Sequence, residues 1–558
     1  MTPLVLQAFI DDDHDQITAN FATPMHEINS ALKECGFGWF QKKLLFASLF
    51  AYSCGVFVTS TTPYILPNAE CDLNMNLLQK GILNAAPFIG MLISSVIAGF
   101  LTDAFGRKIF VVGGHAGIFF FNVISAFSQT YEMLIISKFF EGLLFATALS
   151  PCVILTSEYC HSDVRDRVLL FQSSFMALSQ VILAALSWLI LTQDWETSYF
   201  SGFIVLHTWN YYLLIMSLFS LTTCILYSLF PESPKFLVTQ NRFNEARETL
   251  KNVYKMNTGK PIETFSHANI WQDKIYTANV APEFTPKSTF TSQLVNGLHN
   301  IKPMFRKPLS SYLILICVMN YLIMTLFNII RLWFPQLSTV VEHYAGIDGK
   351  SDLCEIIDAY TEDLNTRGVN VTVNEVCVPT RSGTDTYVNS MILGCVAIMP
   401  YILSGILVRK VGKKFLVISA GLLSIAATLW LRWSSSRTEV VGLFAADMAI
   451  SQIIISLLQA TAIEIFPTAT RTLTMSLILT TGRIGSMVAN VMFPILLDIG
   501  CIVPFYTLAG LMICLTILAI FLPKDSKNYG KKEQELSEIN STKSYSSILL
   551  MHNRSGSY

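Results

Sequence analysis

Twelve stretches of about 20 mainly apolar residues, each bounded by polar turns, constrain this chain more than any other feature. A bilayer core about 30 Å thick is crossed by roughly 20 residues of helix, and inside it every backbone N–H and C=O must be satisfied within the segment. The runs fall near residues 44–66, 81–102, 109–129, 133–157, 168–192 and 209–230, then near 310–334, 387–407, 415–433, 439–463, 473–497 and 502–522. Charged residues make up 14% of the 558 and hydrophobic ones 52%. Soluble domains carry about 25% charged residues, so most of this chain must face a solvent other than water. The expected fold is an all-α membrane protein of twelve transmembrane helices.

Lys and Arg collect on cytoplasmic loops. Lys42, Lys43, Arg107, Lys108, Arg165, Arg167, Arg409, Lys410, Lys413, Lys414 and Arg471 all fall on one side of the predicted spans. The connections at 67–80, 193–208 and 335–386 fall on the other and are poor in both. The expected organisation is a cytoplasmic tail over 1–43, a six-helix bundle over 44–230 and a cytoplasmic linker over 231–309. A second six-helix bundle over 310–522, with an acidic extracytoplasmic loop at 335–386, and a cytoplasmic tail over 523–558 complete it. Both termini are then cytoplasmic. The tails are polar and expected to be mobile, and Phe243, Ala246, Leu250, Val253 and Tyr254 mark an amphipathic surface helix in the linker.

A net charge of −1 argues against a nucleic-acid partner. The acidic Asp11-Asp12-Asp13 region is unlike a cleaved signal peptide. No CxxC pair, Walker motif, nucleophile elbow or HExxH occurs, so the chain is expected to be no enzyme, with neither cofactor nor metal. Its expected surroundings are a lipid bilayer and a small solute, and it is expected to be a monomer.

The chain repeats itself. Gly99-Phe-Leu-Thr-Asp103-Ala-Phe-Gly106-Arg107-Lys108 recurs as Gly405-Ile-Leu-Val-Arg409-Lys-Val-Gly412-Lys413-Lys414. Glu158 followed by Arg165 recurs as Glu464 followed by Arg471, at the same offset of 306 residues. Two coincidences at one offset indicate a duplicated six-helix unit. The glycines suit a tight turn and close helix approach; the bland alternative is that the basic residues merely obey the positive-inside rule. The first copy resembles the signature of the major facilitator superfamily between its second and third helices. That resemblance implies two pseudo-symmetric bundles around a central cavity, with these motifs locking one conformational state.

Further motifs resemble the synaptic vesicle glycoprotein 2 family and related organic-ion transporters. They are Pro63-Tyr-Ile-Leu-Pro67-Asn-Ala-Glu70-Cys71-Asp72-Leu73, Pro231-Glu-Ser-Pro-Lys-Phe-Leu237, Asn257-Thr-Gly-Lys260-Pro261, Leu332-Trp-Phe-Pro335 and Glu464-Ile-Phe-Pro467-Thr-Ala-Thr-Arg471. The matches span roughly residues 44 to 525. On the long loop, Asn370-Val-Thr372 is a glycosylation sequon, and a bond between Cys354 and Cys377 is expected there. One departure stands out: the Asp-Gly-Val-Glu of the family's first helix reads Cys54-Gly55-Val56-Phe57 here, which argues against cation coupling through that helix. The Pro-Glu-Thr that follows the last helix of facilitative sugar carriers is also absent after Leu522.

Charges within the spans cost about 2.5–3.5 kcal/mol each on insertion scales and face a cavity or a partner. Lys138, Glu141, Asp447 and Arg483 are the candidates, and Glu141 and Asp447 are again 306 apart. All four are substrate or coupling candidates. The structural alternative pairs Lys138 with Glu141 along one helix, three residues apart, and Asp447 with Arg483. Trp209, Tyr211 and Tyr212 suit interfacial anchors, and Gly90, Gly482 and Gly485 suit close helix packing. The resulting expectation is a secondary transporter of a small polar or ionic organic solute by alternating access. The rival is a non-transporting vesicle protein acting through protein partners at its tails and luminal loop. The expected membrane is the plasma membrane or an intracellular vesicle.

Overall fold

A computed structural model describes residues 24–199, 204–271, 307, 309–344, 353–369, 382–397, 411–434, 436–466 and 468–523. Eleven helices among these residues are long and apolar enough to cross a membrane. The remaining predicted span, near 387–407, is represented by Thr384–Val396, and 398–410 lie outside the described residues.

The first half runs α1 (Pro24–Cys35), α2 (Trp39–Ala69), α3 (Leu77–Phe105), α4 (Arg107–Ala126), α5 (Tyr131–Glu158), α6 (Ser162–Ser173), α7 (Phe175–Leu191), β1 (Glu196–Tyr199), β2 (Ile204–His207) and α8 (Thr208–Ser228). The short α9 (Pro234–Thr239) and α10 (Phe243–Thr258) follow. The second half runs α11 (Leu309–Tyr344), α12 (Leu353–Val369), α13 (Thr384–Val396), α14 (Lys413–Trp430), α15 (Arg437–Ile465), α16 (Thr468–Ile499) and α17 (Ile502–Ala519). One end of the bundle carries α1, α9 and α10 and is called the tail end; the other carries the hairpin and α12 and is called the cap end.

Local chemistry sets the helix boundaries. Asn76 caps α3 by accepting the Gln79 N–H at 2.8 Å, and Gln79 returns the bond to Asn76. Gly106, at φ +105°, turns α3 into α4, and Gly412, at φ +85°, precedes α14 in the same way. These are the second glycine of each copy of the repeat, in backbone that favours a residue without Cβ. Gly142 and Gly90 bring α5 and α3 together: a Cβ on Gly142 would lie 2.0 Å from the Pro87 carbonyl oxygen, and one on Gly90 2.2 Å from that of Phe139. Gly482 and Gly485 let α16 close on Asn320 and Tyr321 of α11, as expected of small residues at helix crossings.

Three expectations are corrected, and one polar connection gains a defined structure. The tail before the first span is helical over Pro24–Cys35, because Ile28, Ala31, Leu32 and Cys35 bury a face against the linker helix α10, itself buried through Ala246, Leu250, Val253 and Tyr254. The polar connection near 193–208 forms an antiparallel hairpin, Glu196 opposite His207 through Tyr199 opposite Ile204. Trp209 and Tyr212 are buried rather than interfacial, the indole donating to Asp72 at 2.7 Å and the phenol meeting Ser187 at 2.8 Å. Cys354 is bonded to Cys501, at the start of α17, rather than to Cys377.

Candidate functional site

The repeated motif ends beside a pair of matching ion pairs at the tail end. In the first half the Arg107 guanidinium lies 3.3 Å from Glu158 and 4.8 Å above the Phe236 ring. In the second, Lys413 lies 2.5 Å from Glu464 and donates to the Ala460 carbonyl. Lys108 and Lys414 each donate to carbonyls at the end of the last helix of their own half, Ser228 in one and Leu522 in the other. The first half adds Glu232, from the Pro-Glu-Ser-Pro stretch. Its carboxylate accepts the N–H groups of Arg107 and Lys108 at 3.1–3.3 Å, which places negative charge at the start of α4. Beside this cluster, burial holds the Lys235 ammonium below its usual range, with Glu158 opposing that shift. Arg165 is exposed on α6. Gly405 and Arg409 lie outside the described residues, as do Asn370 and Cys377; nor are the surroundings of Gly99 or the side chains of Asp103 and Arg471 described.

Midway through the bundle, the intrahelical pairing of Lys138 with Glu141 is present. The two meet at 2.8 Å, fully buried. Ser125 of α4 donates to Glu141 at 2.6 Å, and the Asn122 amide, correctly oriented, donates to it at 3.1 Å. Lys138 also reaches Thr61 of α2 at 3.5 Å. Asp447 occupies the corresponding place in α15 and is equally buried, but its partners are hydroxyls: Ser424, and Thr428 at 2.9 Å. At the offset of 306, Thr428 corresponds to Asn122 and Phe444 to Lys138. The supposed pairing of Asp447 with Arg483 is not formed. Arg483 instead crosses between the halves and donates to the Met91 carbonyl of α3 at 3.3 Å.

Reasoning from the sequence overlooked Arg331. It lies within α11 and donates to Thr59 at 2.9 Å and Ser60 at 2.5 Å, both on α2 of the opposite half. One turn further, Tyr64 stacks on Tyr387 of α13, with centroids 6.3 Å apart. The run Thr59-Ser60-Thr61 thus lies between Arg331 on one side and the Lys138–Glu141 pair on the other. The available signal was a lone cation just before Leu332-Trp-Phe-Pro335, which the predicted span had absorbed near its end. The substituted positions of the first helix are packed: Cys54 meets Ser220 at 3.1 Å and Phe57 lies edge-on to Phe219. Among the described residues, the hydrogen bonds and ring contact found between the halves (Arg331 to α2, Tyr64 to Tyr387, Lys80 to Tyr360, Arg483 to α3) lie from mid-bundle to the cap end.

Residues 43–301 match the family profile described as Sugar (and other) transporter, and residues 382–553 the one described as Major Facilitator Superfamily. Synaptic vesicle glycoprotein 2B of Homo sapiens is 28% identical over 252 residues, which cover 44% of this chain and 36% of that protein. The match therefore spans well under half of that relative's length. SVOPL of Danio rerio is 21% identical over 508 residues, covering 90% of this chain and 89% of the relative. Among solved structures, the inward-open conformation of the xylose transporter XylE from E. coli superposes with a TM-score of 0.59 at 14% identity, covering 89% of this chain and 99% of that one. The nucleoside transporter NupG superposes with a TM-score of 0.56 at 10% identity, covering 87% and 100%. At these identities the likeness concerns the fold.

Proposed function

Because the chain belongs to the major facilitator superfamily, we propose that it is a secondary transporter that moves a small polar or ionic organic solute by alternating access. The observation that carries this reading is the seam between the halves. Arg331 and the hydroxyls of Thr59 and Ser60 meet across it near mid-bundle, and Arg483 of α16 crosses it to the Met91 carbonyl. Two guanidinium groups and a row of hydroxyls suit a solute rich in hydrogen-bond acceptors, such as a carboxylate or a polyol. Among the described residues the cross-half bonds cluster toward the cap end, which fits a state closed there, and a rocking of the halves about this level would exchange access. The solute takes over the bonds that Arg331 makes to α2. The Lys138–Glu141 pair serves to hold α2, α4 and α5 together. The cap end faces the oxidising side, where the Cys354–Cys501 bond persists. Both tails are then cytoplasmic, in the plasma membrane or an intracellular vesicle.

A second reading, a vesicle membrane protein acting through protein partners, is favoured by one observation: Cys54 and Phe57 are packed into the bundle where the related family carries carboxylates. Uptake of a mixed panel of organic anions, polyols and cations into proteoliposomes, with and without a pH gradient, separates the two. Saturable uptake that falls at least tenfold in Arg331→Ala, as expected for loss of a charged hydrogen bond, supports transport. Absent uptake from folded protein across the panel overturns it in favour of the second reading.

A further inference from the structure

Glu70 follows α2 and Lys80 lies in the second turn of α3, both at the cap end of the first half. Their side chains meet at 2.6 Å, and Lys80 is completely buried. The same ammonium donates to the Tyr360 hydroxyl at 3.0 Å. Tyr360 belongs to α12, a helix in the connection between α11 and α13, and so to the second half. Its hydroxyl also accepts from Gln336 of α11 at 2.9 Å. One phenol oxygen therefore bridges the halves, above the Tyr64–Tyr387 stack.

Helix α12 is fastened to the second half at three points. Cys354 is bonded to Cys501 at the start of α17. Asp358 accepts the Cys501 N–H at 2.9 Å, and the Leu353 N–H donates to the Ser434 carbonyl, between α14 and α15, at 3.3 Å. Ile356 and Ile357 are buried in the core of that half. Helix α12 is thus a rigid extension of one half, and its Tyr360 hydroxyl reaches the buried ion pair of the other.

We propose that α12 is a gate latch, in which Tyr360 is a positioning residue that biases the halves toward closure at the cap end and the Cys354–Cys501 bond keeps it in register with the second half. The latch rests on the alternating-access reading above. A buried ammonium needs acceptors for its three N–H groups, and Tyr360 supplies one only while the cap end is closed. On opening, water replaces that acceptor, so the bond acts on the balance between states rather than on folding.

The test is the distance distribution, by pulsed electron resonance, between spin labels on Leu78→Cys and Trp433→Cys, both exposed at the cap end. The full chain is used in nanodiscs, in a background carrying Cys395→Ser and Cys514→Ser to remove the exposed free thiols. Tyr360→Phe keeps the ring and removes the hydroxyl. The expected result is a longer-distance population whose ratio to the short one rises roughly tenfold, the effect of one hydrogen bond to a charged group. The Cys354→Ser/Cys501→Ser pair moves the ratio the same way. Unchanged distributions in both, from protein with an unaltered elution profile, overturn the latch. If Arg331→Ala shifts the distribution while Tyr360→Phe does not, the latch alone falls. If no variant shifts it, both the latch and alternating access fall.

Discussion

Glu141 and Asp447 occupy matching places in the two halves, yet they are held in different ways. Glu141 has a cation, Lys138, and two neutral donors on α4; among the described residues Asp447 has the hydroxyls of Ser424 and Thr428 as its hydrogen-bond partners, and Phe444 stands where the lysine would be. At the tail end the halves have diverged far less: Arg107 with Glu158 and Lys413 with Glu464 are the same contact made twice. The lesson is that the duplicated unit keeps the chemistry of its tail-end turns. It diverges in its interior, where each half has its own neighbours.

The comparison breaks most visibly at Lys138. Lys138→Met leaves Glu141 buried without its cation, and breaking a buried pair from one side costs about 3–5 kcal/mol. A large fall in melting temperature in detergent is expected, and Lys138→Met with Glu141→Gln together should recover most of it. The matching change in the other half, Asp447→Asn, keeps an acceptor for one hydroxyl and offers the other an amide N–H that it can accept, so it should shift melting far less. Equal losses at the two sites would remove the distinction.

Gly142→Ala comes next. Its Cβ would lie 2.0 Å from the Pro87 carbonyl oxygen, so α3 and α5 must separate, at about 1–3 kcal/mol. The corresponding residue of the second half is Met448, so this close crossing belongs to the first half alone. Melting curves of Gly142→Ala and of Gly113→Ala, whose Cβ meets nothing within 4 Å, measure that difference.

The tail-end pairs should differ modestly. Arg107→Ala loses Glu158 and the stacking on Phe236, whereas Lys413→Ala loses Glu464 and one carbonyl contact. A difference of about 1 kcal/mol is expected, with Arg107 the larger, because stacked guanidinium adds to the ion pair. Chemical denaturation of the two variants checks it.

The smallest effect concerns the docking of α1. Burial pushes the Glu34 carboxyl up, but the Ser266 N–H and hydroxyl and the adjacent His267 ring outweigh it and hold the group below the usual carboxylate range. A carboxyl depressed in the folded state stabilises fully above its unfolded value and loses that contribution as pH falls through the folded one. Wild type should therefore exceed Glu34→Gln slightly in melting temperature near neutrality, and the gap should close on acidification below the carboxylate range. A gap independent of pH would assign the contact to neutral hydrogen bonding.

Some of the site was legible before any coordinates. The spacing of three between Lys138 and Glu141 can form an ion pair on any helix, and Gly106 and Gly412 suit a tight turn whatever surrounds them, so both readings hold wherever the helices pack. Arg331 was not legible, because its meaning depends on which helix of the other half lies opposite. The partner of Cys354 was equally hidden, since Cys501 is 147 residues away along the chain and adjacent only through the packing of α12 on α17. The proximity of Asp447 to Arg483 failed as a guide for the same reason: two charges in neighbouring helices pair only if their faces turn toward each other.

The sequence by itself determined the apolar spans, their duplication and the local turns, because each of these is fixed by hydrophobic length or by the φ of a single residue. Only the tertiary structure decided which polar groups meet across the halves: Arg331 with α2, Lys80 with Tyr360, and Asp447 with hydroxyls in place of a cation. A buried polar group must be satisfied by whatever the neighbouring helix presents, and that neighbour is chosen by the packing of the whole bundle rather than by any stretch of the chain.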